Sequence, residues 1–247
     1  MTRADSSIVP GAAAADRRPL SVWLAGRIEH DTYQSLAERL AWEVSEPAGR
    51  PPTLVIYEPA VGITVGRLGS QTDIELSAEE LLTRNIPVRF SGRGGGAVPH
   101  GPGQIGIGLF APLASLGLGP HDAGGLVERF EAGLEYPGVF GRSGLLATVS
   151  LAIRRGIVWH GGFVNVCPSP ELFRQVQTVP VAAGLSRRTM GSVQAELRRR
   201  VRLQDARTAL VRDLTDAFGC SEASIQSGLP LPPAVSHRPL RQHRSAS

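Results

Sequence analysis

The stretch Arg93-Gly-Gly-Gly-Ala-Val-Pro-His-Gly-Pro-Gly-Gln104 places five glycines and two prolines in twelve residues. Glycine lets the backbone adopt positive φ and approach a ligand closely, while proline fixes φ and stiffens the chain. Arg93 can bind a carboxylate, a phosphate or a backbone carbonyl. His100 and Gln104 add an imidazole and an amide. A tight loop between two strands has the same composition, so this stretch alone leaves both interpretations open.

A second stretch, Val158-Trp-His-Gly-Gly-Phe-Val-Asn165, places a histidine where a strand loosens into two glycines and then resumes. Taken alone, His160 is better explained as a histidine at the edge of the core with a satisfied hydrogen bond. Trp159 is adjacent to it and would be able to wall a binding site.

Together the two stretches resemble the lipoyl(octanoyl) transferases, within the biotin/lipoate protein ligase group. The family pattern is Arg-Gly-Gly, then His-Gly-Pro-Gly-Gln, then His-Gly before an Asn-Val strand. The corresponding residues occur in the same order here: Arg93-Gly94-Gly95, residues 100–104, His160-Gly161 and Asn165-Val166. Upstream, Thr64-Val65-Gly66-Arg67 is similar to that family's Gly-Arg turn. The resemblance covers roughly residues 25–218.

The resemblance implies a fold, a reaction and a set of site residues. Members of the family move an octanoyl chain from acyl carrier protein to a lysine of a lipoyl domain, through an acylated cysteine that a lysine activates. Both histidines of the pattern are retained in this chain, and we expect His160 and His100 to be catalytic. The expected substrate-binding positions are Arg93, Gly94, Gly95, Gly101, Gly103, Gln104, Leu145, Trp159, Gly161, Asn165, Ala183 and Gly184.

This chain departs from the family pattern at both reactive positions. Alignment on the motifs places Leu145 where the family has its lysine, and Ala183, in Ala182-Ala183-Gly184, where it has its cysteine. Val98 stands at the position of a loop threonine. All 26 basic residues are arginine, so the chain contains no lysine at all. We expect a noncanonical, more apolar active site without a covalent acyl-cysteine intermediate.

Three hypotheses for the function follow from these departures. The first is acyl transfer or related acyl-thioester chemistry, with His100 or His160 as base for direct attack by the acceptor, in a specialised pathway. The second is a pseudoenzyme that binds an acyl chain or a carrier protein without turnover. The third is an ordinary lipoyl(octanoyl) transferase in which Cys167 replaces the missing thiol, although a structural role for Cys167 is the simpler interpretation.

Charge and composition limit the partners. The net charge of +4 is confined to the two ends, which leaves a neutral body without the basic footprint of a nucleic-acid-binding domain. We expect an acyl carrier protein or another acyl-thioester donor as partner, no nucleic acid, no membrane span and no metal. No cofactor is expected, because a ligase of this group would need a lysine for the phosphates of ATP. Two cysteines and no recognisable export signal favour the cytoplasm.

Apolar residues make up 42% of the chain, enough for a packed core. Strand-like and helix-like segments alternate, which predicts an α+β fold with helices packed on a mixed β-sheet. The domain is expected over residues 21–227, between a disordered segment at 1–20 and a disordered Pro/Arg-rich tail at 228–247. The pattern also predicts a glycine-rich loop over 91–103 and one long amphipathic helix over 192–217.

Overall fold

The computed structural model describes residues 19–47, 49–119, 122–132, 140–178, 190–220 and 222–231. The strands in these ranges are β1 (Leu20–Ile28), β2 (Thr53–Pro59), β3 (Gly62–Val65), β4 (Val88–Phe90), β5 (Ala97–His100), β6 (Gln104–Pro112), β7 (Phe140–Gly141), β8 (Gly144–Leu145), β9 (Ala147–Val149), β10 (Ala152–Arg154), β11 (Ile157–Trp159), β12 (Gly161–Asn165) and β13 (Ala223–Ser227). The helices are α1 (His30–Ser45), α2 (Ala78–Thr83), α3 (Ala123–Ala132), α4 (Pro170–Arg174), α5 (Val193–Leu197) and α6 (Leu203–Ala217).

The described strands form one large mixed sheet and two small sheets. In the large sheet the order is β10-β11-β6-β2-β1-β13, and β12 pairs with both β6 and β9. Strand β1 runs parallel to β2 and β13, whereas β6 is antiparallel to β2, β11 and β12. A smaller sheet has β3 between β4 and β5, and β7 pairs with β8. Helices pack on the mixed sheet, so the predicted α+β class is confirmed.

Strand β6 lies at the centre of the large sheet and separates two cores. Its residues Ile105, Ile107 and Leu109 belong to the main core cluster, to which α3 and α6 contribute. Side chains alternate across a strand, so Gly106 and Gly108 face the other side. There α1 covers the sheet and builds a second core. The main core fills its face with large side chains, each worth roughly 1.5–3 kcal/mol on burial, whereas the two glycines leave room on the α1 face.

The glycine-rich stretch is only partly a loop. Residues 97–100 form strand β5, which pairs antiparallel with β3, so the prediction of a loop throughout 91–103 is wrong at this point. Ala97 and Val98 are buried. Pro99, which lacks an N–H donor, is tolerated because β5 lies at the edge of its sheet. The pairing brings His100 beside the first residues of β3.

The predicted single helix over 192–217 is two helices. Helix α5 ends at Leu197, the next residue, Arg198, adopts a left-handed conformation (φ 51°), and α6 begins at Leu203. A continuous helix would place the like charges of Arg198 and Arg202 one turn apart, which is unfavourable. In the break, the Val201 amide donates to the Gln194 side chain. Periodicity alone does not detect such a break.

Gly103 joins the glycine-rich stretch to the end of β12. Its carbonyl accepts hydrogen bonds from the amides of Val166 (3.0 Å) and Cys167 (2.9 Å). Its φ is +89°, and a Cβ at this position would lie 2.4 Å from the Cys167 carbonyl oxygen. Only glycine fits this backbone without a shift of one segment against the other.

We expect Gly103→Ala to lower the free energy of unfolding by about 2 kcal/mol or more, because left-handed backbone strain adds to the steric clash. Urea denaturation followed by circular dichroism measures the change. The matched control is Gly26→Ala, whose added Cβ would meet nothing within 4 Å and should change stability by less than about 0.5 kcal/mol. Equal effects of the two substitutions would contradict the assigned role of Gly103.

Candidate active site

A chain of hydrogen bonds links the small sheet to the large one. Gln104 Nε2 donates to the Pro99 carbonyl (3.1 Å) and to Asn165 Oδ1 (2.9 Å), so Gln104 Oε1 is the acceptor that faces His100 Nδ1 at 2.9 Å. His100 Nδ1 therefore carries the proton. Its Nε2 in turn accepts from Thr64 Oγ1 at 2.7 Å. The chain fixes one tautomer of His100 and engages both ring nitrogens.

Burial sets the charge of His100. The side chain is enclosed, and desolvation lowers the pKa of His100 to about 3, even though the bond to Gln104 raises it. The imidazole is therefore neutral at physiological pH. The sequence proposed His100 as a base, and the structure leaves neither of its nitrogens open to a substrate.

Arg93 holds the glycine-rich loop against β3. Its Nε donates to Thr64 Oγ1 (3.1 Å), and Nη1 donates to the Gly94 carbonyl (2.9 Å) and Ser150 Oγ (3.3 Å). Its Nη2 donates to the carbonyls of Thr64 (2.7 Å) and Gly96 (2.9 Å). Burial lowers the pKa of Arg93 to about 10, so the group stays charged at neutral pH. Of the partners that the sequence allowed, backbone carbonyls are the ones observed, together with two hydroxyls.

His160 differs from His100 in having a ring nitrogen without a hydrogen-bond partner among the described residues. It lies between β11 and β12 in a left-handed conformation (φ 66°), which is uncommon for histidine and concentrates at functional sites. Its ring stacks on Trp159 with centroids 4.7 Å apart. Its Nε2 is buried and has no hydrogen-bond partner among the described residues. Burial, then the charge of Arg93, lowers the pKa of His160 to about 4.

Both histidines line one cleft, which is partly open to solvent. Most of the other lining groups are apolar or aromatic: Ile28, Tyr33, Tyr57, Pro59, Ala60, Val61, Ile63, Pro87 and Phe163. Thr64 and Arg93 are polar lining residues whose hydrogen bonds are described above. His30, half-buried, and Arg89, exposed, lie toward solvent. A mostly apolar cleft with a few convergent polar groups is typical of a site for a small apolar ligand.

The remaining predicted site residues that the structure describes are not among the residues that line the cleft. Asn165 Nδ2 donates to the carbonyl of the buried Leu145 (3.1 Å). The amide of Gly94 donates to the Leu151 carbonyl (3.2 Å). Gly161 pairs with β6, in a register that places Asn165 opposite Gln104. Trp159 supports the His160 ring. Gly95 and Gly101 flank the Arg93 and His100 segments, and Ala183 and Gly184 lie outside the described residues.

Cys167 lies away from the cleft. Its half-buried side chain packs against the main core, on the face of the sheet opposite α1. Burial raises the pKa of the Cys167 thiol, an effect that the charge of Arg200 only opposes in part. A thiol in this setting is a weaker nucleophile than an exposed one.

Sequence reasoning did not single out Tyr33, Tyr57, Phe163 and Ser150 as site residues. Thr64 was noticed only as part of the matching Gly-Arg segment. A polar residue between the apolar Ile63 and Val65 of a buried strand is a usable signal for Thr64. The two tyrosines, on α1 and β2, give no local signal, because packing alone brings them together.

Within the ranges that the structure describes, no group of three or more His, Cys, Asp or Glu side chains is placed to hold a metal ion. Over the same residues, no helix has the length and apolar character needed to cross a bilayer.

Comparison with known proteins points to one family. Residues 32–133 match the family model of the lipoyl protein ligase A/B catalytic domain. The octanoyltransferase of Pseudomonas syringae pv. syringae is 31% identical over 166 residues, 61% of this chain and 71% of the relative. The octanoyltransferase of Methylococcus capsulatus is 29% identical over 214 residues, which cover 81% of this chain and 97% of the relative.

Solved structures share the fold at low identity. Lipoate-protein ligase A bound with ATP superposes with a TM-score of 0.62 at 17% identity, covering 84% of this chain and 89% of that one. The bi-partite lipoate protein ligase of Thermoplasma acidophilum was solved in a study of that ligase and its E2 lipoyl domain. It superposes with a TM-score of 0.59 at 18% identity, covering 86% of this chain and 88% of that one. The fold is therefore that of the lipoate protein ligases. With the sequence relatives, it follows that this chain belongs to the lipoyl(octanoyl) transferase family, as the motifs predicted.

The two buried histidines make stability depend on pH. Their folded-state pKa values lie below 6.5, the value for an exposed histidine, so the unfolded chain binds protons first as the pH falls. We expect the free energy of unfolding to fall between pH 6.5 and 4, with His160 contributing roughly 3 kcal/mol at the acid end. Urea midpoints across this range measure it. Asparagine tolerates the left-handed backbone, so His160→Asn should reduce the pH dependence of the free energy of unfolding. If the wild type and the variant show parallel pH dependence, folded His160 titrates normally.

Proposed function

We propose that this protein transfers an acyl group directly from a thioester donor to an amine acceptor, with His160 as general base and without an acyl-enzyme. The observation that carries the proposal is His160, which lines an apolar cleft and whose buried Nε2 has no hydrogen-bond partner among the described residues. Family membership supports acyl transfer. The direct route, a specialised pathway and a carrier protein as donor are parts of the proposal.

The proposed step begins with attack of the neutral amine on the thioester carbonyl carbon. The nitrogen becomes acidic once it has bonded to carbon, so a base as weak as His160, whose pKa is about 4, is able to remove its proton. The carbon–sulfur bond then breaks, and the proton passes from His160 Nε2 to the departing thiolate. The products are an amide and a free thiol.

The rest of the site positions these groups. Both ring nitrogens of His100 are engaged in the hydrogen bonds that run from Arg93 to Asn165. In the proposal, His100 therefore holds β3, β5 and the glycine-rich stretch in register. The aromatic and aliphatic lining excludes water from the thioester, which limits hydrolysis. Proximity in such a cleft adds to the effect of the base.

A covalent route is disfavoured by chemistry and position together. The spacing of the motifs predicts that Leu145 and Ala183 stand at the family's lysine and cysteine positions, and the chain contains no lysine. Cys167, the alternative nucleophile, packs in the main core with a raised thiol pKa and is not among the residues that line the cleft.

A binding protein without turnover is the second candidate. It is favoured by the low pKa of His160, because general bases work best when their pKa is close to the working pH. Under this alternative the cleft would take up an acyl chain and the imidazole would only contact the thioester.

Incubation of the purified protein with octanoyl-carrier protein and a small amine, followed by intact mass measurement, tests the proposal. The wild type should form the octanoyl amide, and His160→Asn should lower the rate roughly 10²–10⁴-fold because the base is lost. Cys167→Ser is the matched control, since it removes a nucleophile from outside the cleft and should retain the rate.

The masses also identify the alternatives. An octanoyl adduct on the protein that disappears in Cys167→Ser would overturn the direct route. Octanoyl-carrier protein that binds without any amide product would favour the binding protein.

A further inference from the structure

Two tyrosines occupy the space that the glycines of β6 leave open. Tyr33 on α1 and Tyr57 on β2 stack with ring centroids 4.5 Å apart. A Cβ on Gly106 would lie 2.4 Å from Cζ of Tyr57, and a Cβ on Gly108 would lie 2.6 Å from the Tyr33 hydroxyl. The rings are therefore pressed against the β6 backbone, and any side chain at the two glycines would displace them.

The tyrosine pair both lines the cleft and belongs to the core under α1. Both rings are almost fully buried. The second core cluster that contains them also includes Val55, Phe110 and the apolar face of α1. Burial raises the pKa of both hydroxyls, so neither ionises at neutral pH. The pair forms an uncharged and close-packed floor of the cleft.

We infer that the stacked rings of Tyr33 and Tyr57 set the longest acyl chain that the cleft accepts. This inference rests on the proposed acyl-transfer function and adds its chain-length limit. An acyl chain enters from the open side, where His30 and Arg89 lie, and its methyl end meets the floor. Close-packed interiors do not yield to an added methylene without strain, so the limit should be sharp.

Partial removal of the floor should lengthen the accepted chain. Tyr57→Val keeps a residue that favours strands and opens space over Gly106. Tyr33→Leu keeps a good helix former and opens space over Gly108. Two variants are used because truncation of an aromatic side chain in a core costs roughly 3–5 kcal/mol, and one of them failing to fold would still leave the other to test the limit. Thermal melts by circular dichroism establish which variants are folded at the assay temperature.

Calorimetric titration with saturated fatty acids from four to sixteen carbons measures the limit without requiring turnover. In the wild type, affinity should rise with length and then fall about tenfold or more for the first methylene that meets the floor. In Tyr57→Val or Tyr33→Leu that fall should move to chains at least one carbon longer.

Two controls separate the floor from other effects. Tyr57→Phe keeps the ring and should keep the wild-type limit. Ile56→Ala makes a cavity on the opposite face of β2, in the main core, and should also keep it. An unchanged limit in both folded floor variants, or the same shift in Ile56→Ala, would overturn the inference, as would a wild-type protein that binds no fatty acid.

The outcomes distinguish this inference from the proposed function. If the chain-length limit moves in the floor variants but the wild type makes no amide, the inference about the floor stands and the transfer reaction is rejected. If transfer depends on His160 but the chain-length limit does not move in the floor variants, the transfer reaction stands and the inference about the floor is rejected.

Discussion

Arg93 brings a full positive charge into the interior, and its hydrogen-bond partners among the described residues are neutral oxygens. Three are carbonyls, of Thr64, Gly94 and Gly96, and two are hydroxyls, of Thr64 and Ser150. A buried charge is costly unless dipoles replace its hydration, so these oxygens must face the guanidinium. This requirement fixes β3 and the glycine loop, and Thr64 is left with one proton to donate to His100. The rest of the site depends on that orientation.

The two histidines illustrate how position decides chemistry. Both are buried in the same cleft and both have a lowered pKa, from the same main cause. Both ring nitrogens of His100 form hydrogen bonds, one with Thr64 and one with Gln104, so His100 connects β3 to β6. His160 stands on a left-handed backbone, and its buried Nε2 has no hydrogen-bond partner among the described residues. The motif alone gave the two residues equal standing, because a sequence records the residue type but not its partners.

The sequence predicted the fold where the information is local or carried by the family motifs. The alternation of β6, the strands beside it and the α+β class all follow from hydrophobic patterning. It failed at residues 97–100, where pairing with β3 makes a strand of a proline-containing segment, and at Arg198, where a left-handed residue divides the expected helix. Both outcomes depend on partners distant in sequence or on a single residue's conformation, and neither changes the local apolar period.

The sequence by itself determined the absence of lysine, the two histidine motifs and the glycine framework, since these are matters of composition and order. Only the tertiary structure decided which histidine has an unpartnered nitrogen among the described residues, that Cys167 packs on the opposite face of the sheet from α1, and that Tyr33 and Tyr57 meet over Gly106 and Gly108. The physical reason is that desolvation, hydrogen-bond saturation and close packing arise between segments far apart in the chain. They come into existence only when those segments share one interior.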